Sequence, residues 1–62
     1  MKLGDLVRVR KSNEYFMNKV GVVLDFVEDN SGFFMYEILI EGRPEWFSDI
    51  DLEAVDEDRR SG

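Results

Sequence analysis

Apolar residues in this chain recur at every second position, and that period constrains the fold more than any other feature, because it specifies half-buried strands rather than helices. In Asp5-Leu6-Val7-Arg8-Val9-Arg10 the alternation puts Val7 and Val9 on one face and Arg8 and Arg10 on the other. Val20 to Val27 reads as a second strand. Its even positions, Val20, Val22, Leu24 and Phe26, are all apolar and read as the core face, with Gly21, Val23, Asp25 and Val27 opposite; a strongly bent strand shared by two packed sheets is apolar on both faces, which accounts for Val23 and Val27. Phe33 to Ile40 is a third, with Phe34, Tyr36, Ile38 and Ile40 inward; Phe33, Met35, Glu37 and Leu39 lie outward, and Glu37 marks that face as the wetter one. A short fourth strand, Glu45-Trp46-Phe47, and a last one, Leu52-Glu53-Ala54-Val55, complete the set.

The segments between these runs carry turn chemistry. Lys11 to Lys19 breaks the alternation, and Ser12 or Asn13 is placed to cap a single helical turn over Glu14-Tyr15-Phe16-Met17. Its aromatics are expected to fold back over one end of the core. Glu28-Asp29-Asn30-Ser31-Gly32 is a polar turn ended by glycine. Glu41-Gly42-Arg43-Pro44 turns the chain into the fourth strand. Ser48-Asp49-Ile50-Asp51 has the shape of a capping box with room only for a 3₁₀ turn.

Five short strands, a long first loop, two tight hairpins and a 3₁₀ turn before the last strand predict an all-β fold, a five-stranded SH3-like barrel. A five-stranded OB barrel is the rival, but it usually runs longer and carries a helix. One domain is all that 62 residues allow. The barrel is expected over residues 1–56, and 57–62 as a disordered charged tail.

Composition narrows the chemistry. The chain holds no cysteine and no histidine. It therefore has no disulfide, no thiol nucleophile, and neither the commonest general base nor the commonest transition-metal ligand. No serine has a histidine to activate it, and no glycine-rich phosphate loop is present. No enzyme activity, cofactor or metal is expected. The acids Asp49, Asp51, Glu53, Asp56, Glu57 and Asp58 lack the tight-turn glycine of a calcium loop, and alternate acids are what the outer face of an edge strand displays. The first residues carry no signal-peptide pattern, and the longest apolar run, Phe33 to Tyr36, is far below the ~20 residues of a membrane span. The expected location is the cytoplasm, free or within a larger particle, with no membrane partner.

Certain segments are familiar. Gly4-Asp5-Leu6-Val7-Arg8-Val9, Lys19-Val20-Gly21-Val22-Val23 and Tyr36-Glu37-Ile38-Leu39-Ile40 together resemble the KOW pattern of SH3-like barrels in ribosomal proteins and transcription elongation factors. Gly21 falls where that family's glycine sits, at the start of the second strand. The later segment, Glu41-Gly42-Arg43-Pro44-Glu45-Trp46-Phe47 through Leu52-Glu53, is similar to small SH3-like proteins of tailed bacteriophages. The first resemblance implies nucleic-acid or transcription-complex binding. The second implies an accessory protein in a bacterial host.

Two candidate surfaces follow from the residues themselves. Residues 1–20 hold five bases against two acids, a net of +3, whereas 21–62 hold three against twelve, a net of −9. Arg8, Arg10, Lys11 and Lys19 are the candidate phosphate-contacting patch, although an overall charge of −6 repels a polyanion. The other surface depends on hairpin register. A two-residue turn at Gly42-Arg43 pairs Leu39 with Trp46 and Ile38 with Phe47. A four-residue loop gives the same pairing, and a three-residue loop buries Trp46 instead. With Trp46 outside, it joins Leu39, Met35 and Phe33 in an exposed apolar strip rimmed by Tyr15 and Phe16, the kind of patch that marks partner binding. The leading expectation is a protein-interaction module using that strip, ahead of a homo-oligomer joined through it and of a nucleic-acid-binding factor.

Overall fold

The computed structural model describes residues 1–55. Among them five strands form one antiparallel sheet: β1 (Leu6–Val9), β2 (Val20–Glu28), β3 (Phe34–Ile40), β4 (Arg43–Ser48) and β5 (Leu52–Ala54). A 3₁₀ turn, Asp49–Asp51, separates β4 from β5. The spatial order is β4-β3-β2-β1-β5. The all-β reading and the five strands are as expected, and the tail expected over 57–62 lies outside the described residues. No helix among the described residues is long and apolar enough to cross a membrane.

This order forces the sheet to curl. β4 and β5 occupy opposite edges, which in a flat five-stranded sheet would lie about 19 Å apart. Only the 3₁₀ turn joins them, and four residue steps reach at most about 14 Å even fully extended. Ser48 caps that turn: its Oγ accepts from the Ile50 N–H at 3.4 Å. Beyond it, the Arg10 N–H donates to the Asp51 carbonyl at 2.9 Å, tying the turn to the end of β1. β4 and β5 do not pair with each other, so the sheet remains open.

The concave face holds the core. Val7, Val9, Val23, Tyr36, Ile38, Ile40, Phe47 and Leu52 are buried, with Phe16 and Phe34 packed against them. Val7 and Val9, and Tyr36, Ile38 and Ile40, point inward as the alternation predicts. In β2 the expectation fails at the start of the strand: Gly21 and Val23 face the core, and Val20 and Val22 face out. The register changes between Val23, opposite Ile38, and Asp25, opposite Glu37, leaving Leu24 as an extra residue. After this bulge the even positions turn inward, and Phe26 lies opposite Tyr36. Phe26, Phe34 and Tyr36 form an aromatic cluster with centroids 5.7 to 6.2 Å apart.

Gly21 is inward because nothing larger fits. A Cβ there would collide with the Leu39 carbonyl oxygen and stand 2.6 Å from Ile38 Cγ2 and 2.7 Å from Ile40 Cγ1. The first loop behaves as its sequence suggests. Asn13 Oδ1 accepts from the Phe16 N–H, the Met17 N–H donates to the Asn13 carbonyl, and the single turn so formed delivers Phe16 edge-on to Phe47 at 5.5 Å. In the β2–β3 turn, Asp29 Oδ1 accepts from the Ser31 N–H, the Ser31 hydroxyl and the Phe33 N–H.

Candidate functional site

The β3–β4 hairpin decides where Trp46 goes. Its two-residue loop is Glu41-Gly42, not Gly42-Arg43: Ile40 faces Arg43, Ile38 faces Glu45, Glu37 faces Trp46 and Tyr36 faces Phe47. Both loop residues have positive φ, 53° at Glu41 and 79° at Gly42, as a type I′ turn requires. The glycine therefore occupies the second loop position rather than the first. Each residue of β3 meets a partner two positions earlier in β4 than expected, so every side chain keeps its face. Phe47 is buried, 8% exposed, whereas Trp46 lies outside at 46%. Arg43 and Pro44 consequently belong to β4 rather than to the turn. Pro44 is tolerated because β4 is an edge strand.

Reading the registers across the sheet assembles the convex face row by row. One row is Pro44, Leu39, Val22 and Leu6, from β4 to β1. The next is Trp46, Glu37 and Asp25, followed by Ser48, Met35 and Val27. Leu39 is Trp46's diagonal neighbour rather than its direct partner, within reach of so large a side chain. Met35 is the diagonal neighbour on the other side. Phe33, one position before β3, is half-exposed. Outward faces of antiparallel sheets are usually polar, so an apolar row crossing four strands beside a free indole is out of the ordinary.

The structure brings together Trp46, Leu39 and Met35, with Phe33 just ahead of β3. It does not bring the loop aromatics to them. Phe16 turns into the core against Phe47, so it packs inside rather than on the rim. Tyr15 is held at the β3–β4 turn, where its hydroxyl donates to Glu41 Oε1 at 2.7 Å. Lys19 Nζ donates to the other Glu41 oxygen at 3.0 Å and lies 4.9 Å from the Tyr15 ring centroid. These bonds hold the Glu41 carboxyl below its ordinary value, through the Tyr15 hydroxyl first and then Lys19. The bond to Glu41 in turn raises the Tyr15 phenol, because donating to a carboxylate favours the protonated hydroxyl. Sequence reasoning missed Val22 and Leu6 as members of the outer face, whereas it set Asp25 and Val27 on the side of β2 where they lie. The signal for Val22 lay in Gly21, whose missing side chain marks its own position as the crowded, inward one and so turns Val22 outward.

The basic patch is only partly available. Arg8 Nη1 pairs with Glu53 Oε2 at 2.9 Å across β1 and β5, and Lys19 is committed to Glu41. Arg10 and Lys11 are exposed and form no ion pair among the described residues. Among those residues no pocket is present, and no group of three or more acidic side chains is arranged to hold a metal ion. No protein-family model, curated protein or solved structure matches this chain.

Proposed function

We propose that the chain is a small non-enzymatic protein-interaction module, an SH3-like barrel in which the curled sheet carries a docking surface on its convex side. A single observation carries this reading: the outer side of β2, β3 and β4 sets Leu39, Val22, Met35 and Val27 around an exposed Trp46 in the middle of the hairpin. Apolar area left in water costs about 25 cal/mol per Å², so covering this face by a partner is favourable. An indole, rigid and large, is the type of side chain that dominates interface energetics. The strand order, with β5 joined to β4 through a 3₁₀ turn and paired with β1, supports the barrel topology.

The basic surface supports a weaker case, since two of its four cations are already matched by carboxylates. The test selects binders for the immobilised chain from a random-peptide library and repeats the selection on Trp46→Ala. Enrichment that depends on Trp46, with a blue shift of the emission from this sole tryptophan, is the expected result. Equal enrichment on both proteins would remove the convex face from the account.

A further inference from the structure

The convex face is not uniformly apolar. Its middle row, Trp46-Glu37-Asp25, runs across three strands between apolar rows. Asp25 and Glu37 are direct cross-strand partners, an arrangement in which like charges oppose each other. Asp25 engages one carboxylate oxygen with the Phe26 N–H at 2.8 Å. Among the described residues neither acid has an ion pair, and the Glu37 side chain accepts no hydrogen bond. The protein thus sets two unneutralised carboxylates beside a free indole, within an apolar surface.

Resting on the docking reading above, we propose that the partner presents a basic side chain, arginine or lysine, flanked by apolar residues. The cation lies against the Trp46 ring and between the carboxylates of Glu37 and Asp25, while the flanking residues cover Leu39 and Met35. Each part of this arrangement has its own cause. The indole face attracts cations through its quadrupole. Carboxylates accept charge-assisted hydrogen bonds from guanidinium or ammonium groups. A bound cation also relieves the repulsion between the two acids, so the free protein is poised for it. The same charges argue against the other occupants. In a two-fold dimer both acid pairs would enter one interface, and these three rows contribute no base to offset them. A polyanion would be repelled.

The test uses the full chain in three forms: wild type, the isosteric Asp25→Asn/Glu37→Gln double variant, and Trp46→Ala, each first shown to be folded by circular dichroism. In the random-peptide selection, wild type should enrich arginine or lysine with apolar neighbours. A synthetic peptide from that set should bind the double variant about tenfold more weakly, and should weaken with added salt on wild type. Enrichment of neutral or acidic peptides that still depends on Trp46 would overturn the basic partner and leave the docking surface standing. No Trp46-dependent enrichment would overturn both. Concentration-dependent dimerisation abolished by Trp46→Ala would identify a second copy as the occupant and overturn the proposal.

Discussion

Glu37 stands directly opposite Trp46 across the β3–β4 hairpin, and the same residue stands directly opposite Asp25 across β2 and β3. One carboxylate is thereby flanked by an indole on one side and a second carboxylate on the other. The concave side of the same strands holds Ile38 and Tyr36 in a dry core. The sheet therefore has two unlike faces. One holds the core, and the other carries Trp46, Leu39, Glu37 and Asp25 outside it.

That separation predicts opposite outcomes for adjacent residues. Phe47→Ala removes a buried ring and should cost about 3–5 kcal/mol of unfolding free energy in urea melts. Trp46→Ala should cost under about 1 kcal/mol, because its ring lies outside the core. Equal losses at the two positions would place Trp46 in the core.

Two glycines should fail for different reasons. Gly21→Ala drives a methyl group into the Leu39 carbonyl and the Ile38 and Ile40 side chains, where the backbone cannot yield without parting β2 from β3. It should cost at least about 3 kcal/mol, the upper end for overpacking. At Gly42 there is open space but a φ of +79°, so Gly42→Ala should cost only the left-handed penalty of about 1–2 kcal/mol. Calorimetry of both variants separates crowding from conformation.

Neutralising the convex-face acids should stabilise the free fold. Asp25→Asn/Glu37→Gln removes a directly opposed like-charge pair, worth about 0.2–1 kcal/mol. The gain should shrink in high salt, which screens the same repulsion in wild type. A loss of stability instead would mean that the two acids hold contacts within the fold.

Stability should fall at both extremes of pH. The Glu41 and Asp29 carboxyls are held below their ordinary values of 4.5 and 3.8, Glu41 by Tyr15 and Lys19, Asp29 by the Ser31 hydroxyl and turn N–H groups. Their contributions are present above those values and are lost as pH falls through the lowered ones. Tyr15 is raised above 10.0 by its bond to Glu41, so its contribution is complete below that pH and is lost as pH rises through the raised value. Thermal melts against pH should show a plateau between these limits. Glu41→Gln should flatten both the alkaline limb and part of the acid limb.

Where the apolar period was unambiguous, the strands could be read directly. β1 and β3 each have one wholly apolar face, so only one orientation buries them. β2 could not be read this way, because it is apolar on both faces. The bulge at Leu24 reverses its faces midway, and a period-two pattern carries no mark of an inserted residue. The hairpin register was off by two positions, since sequence alone does not say which loop position Gly42 takes. That error preserved the faces, and for this reason the exposure of Trp46 survived it. Phe16 folds over the core as the loop reading expected, but not onto the rim of the strip, because a loop aromatic has no strand neighbour to fix its direction. The Asp25-Glu37-Trp46 row needed both registers at once, and no stretch of sequence contains it.

The most direct measurement is an amide NMR titration of the labelled chain, first with the selected basic peptide and separately with a short RNA oligomer at low salt. The account predicts peptide-induced shifts at Val22, Val27, Met35, Glu37, Leu39 and Trp46, and a spectrum unmoved by RNA. Shifts that gather instead on Arg8, Arg10, Lys11 and Lys19, appear with RNA and reverse on adding salt would contradict it.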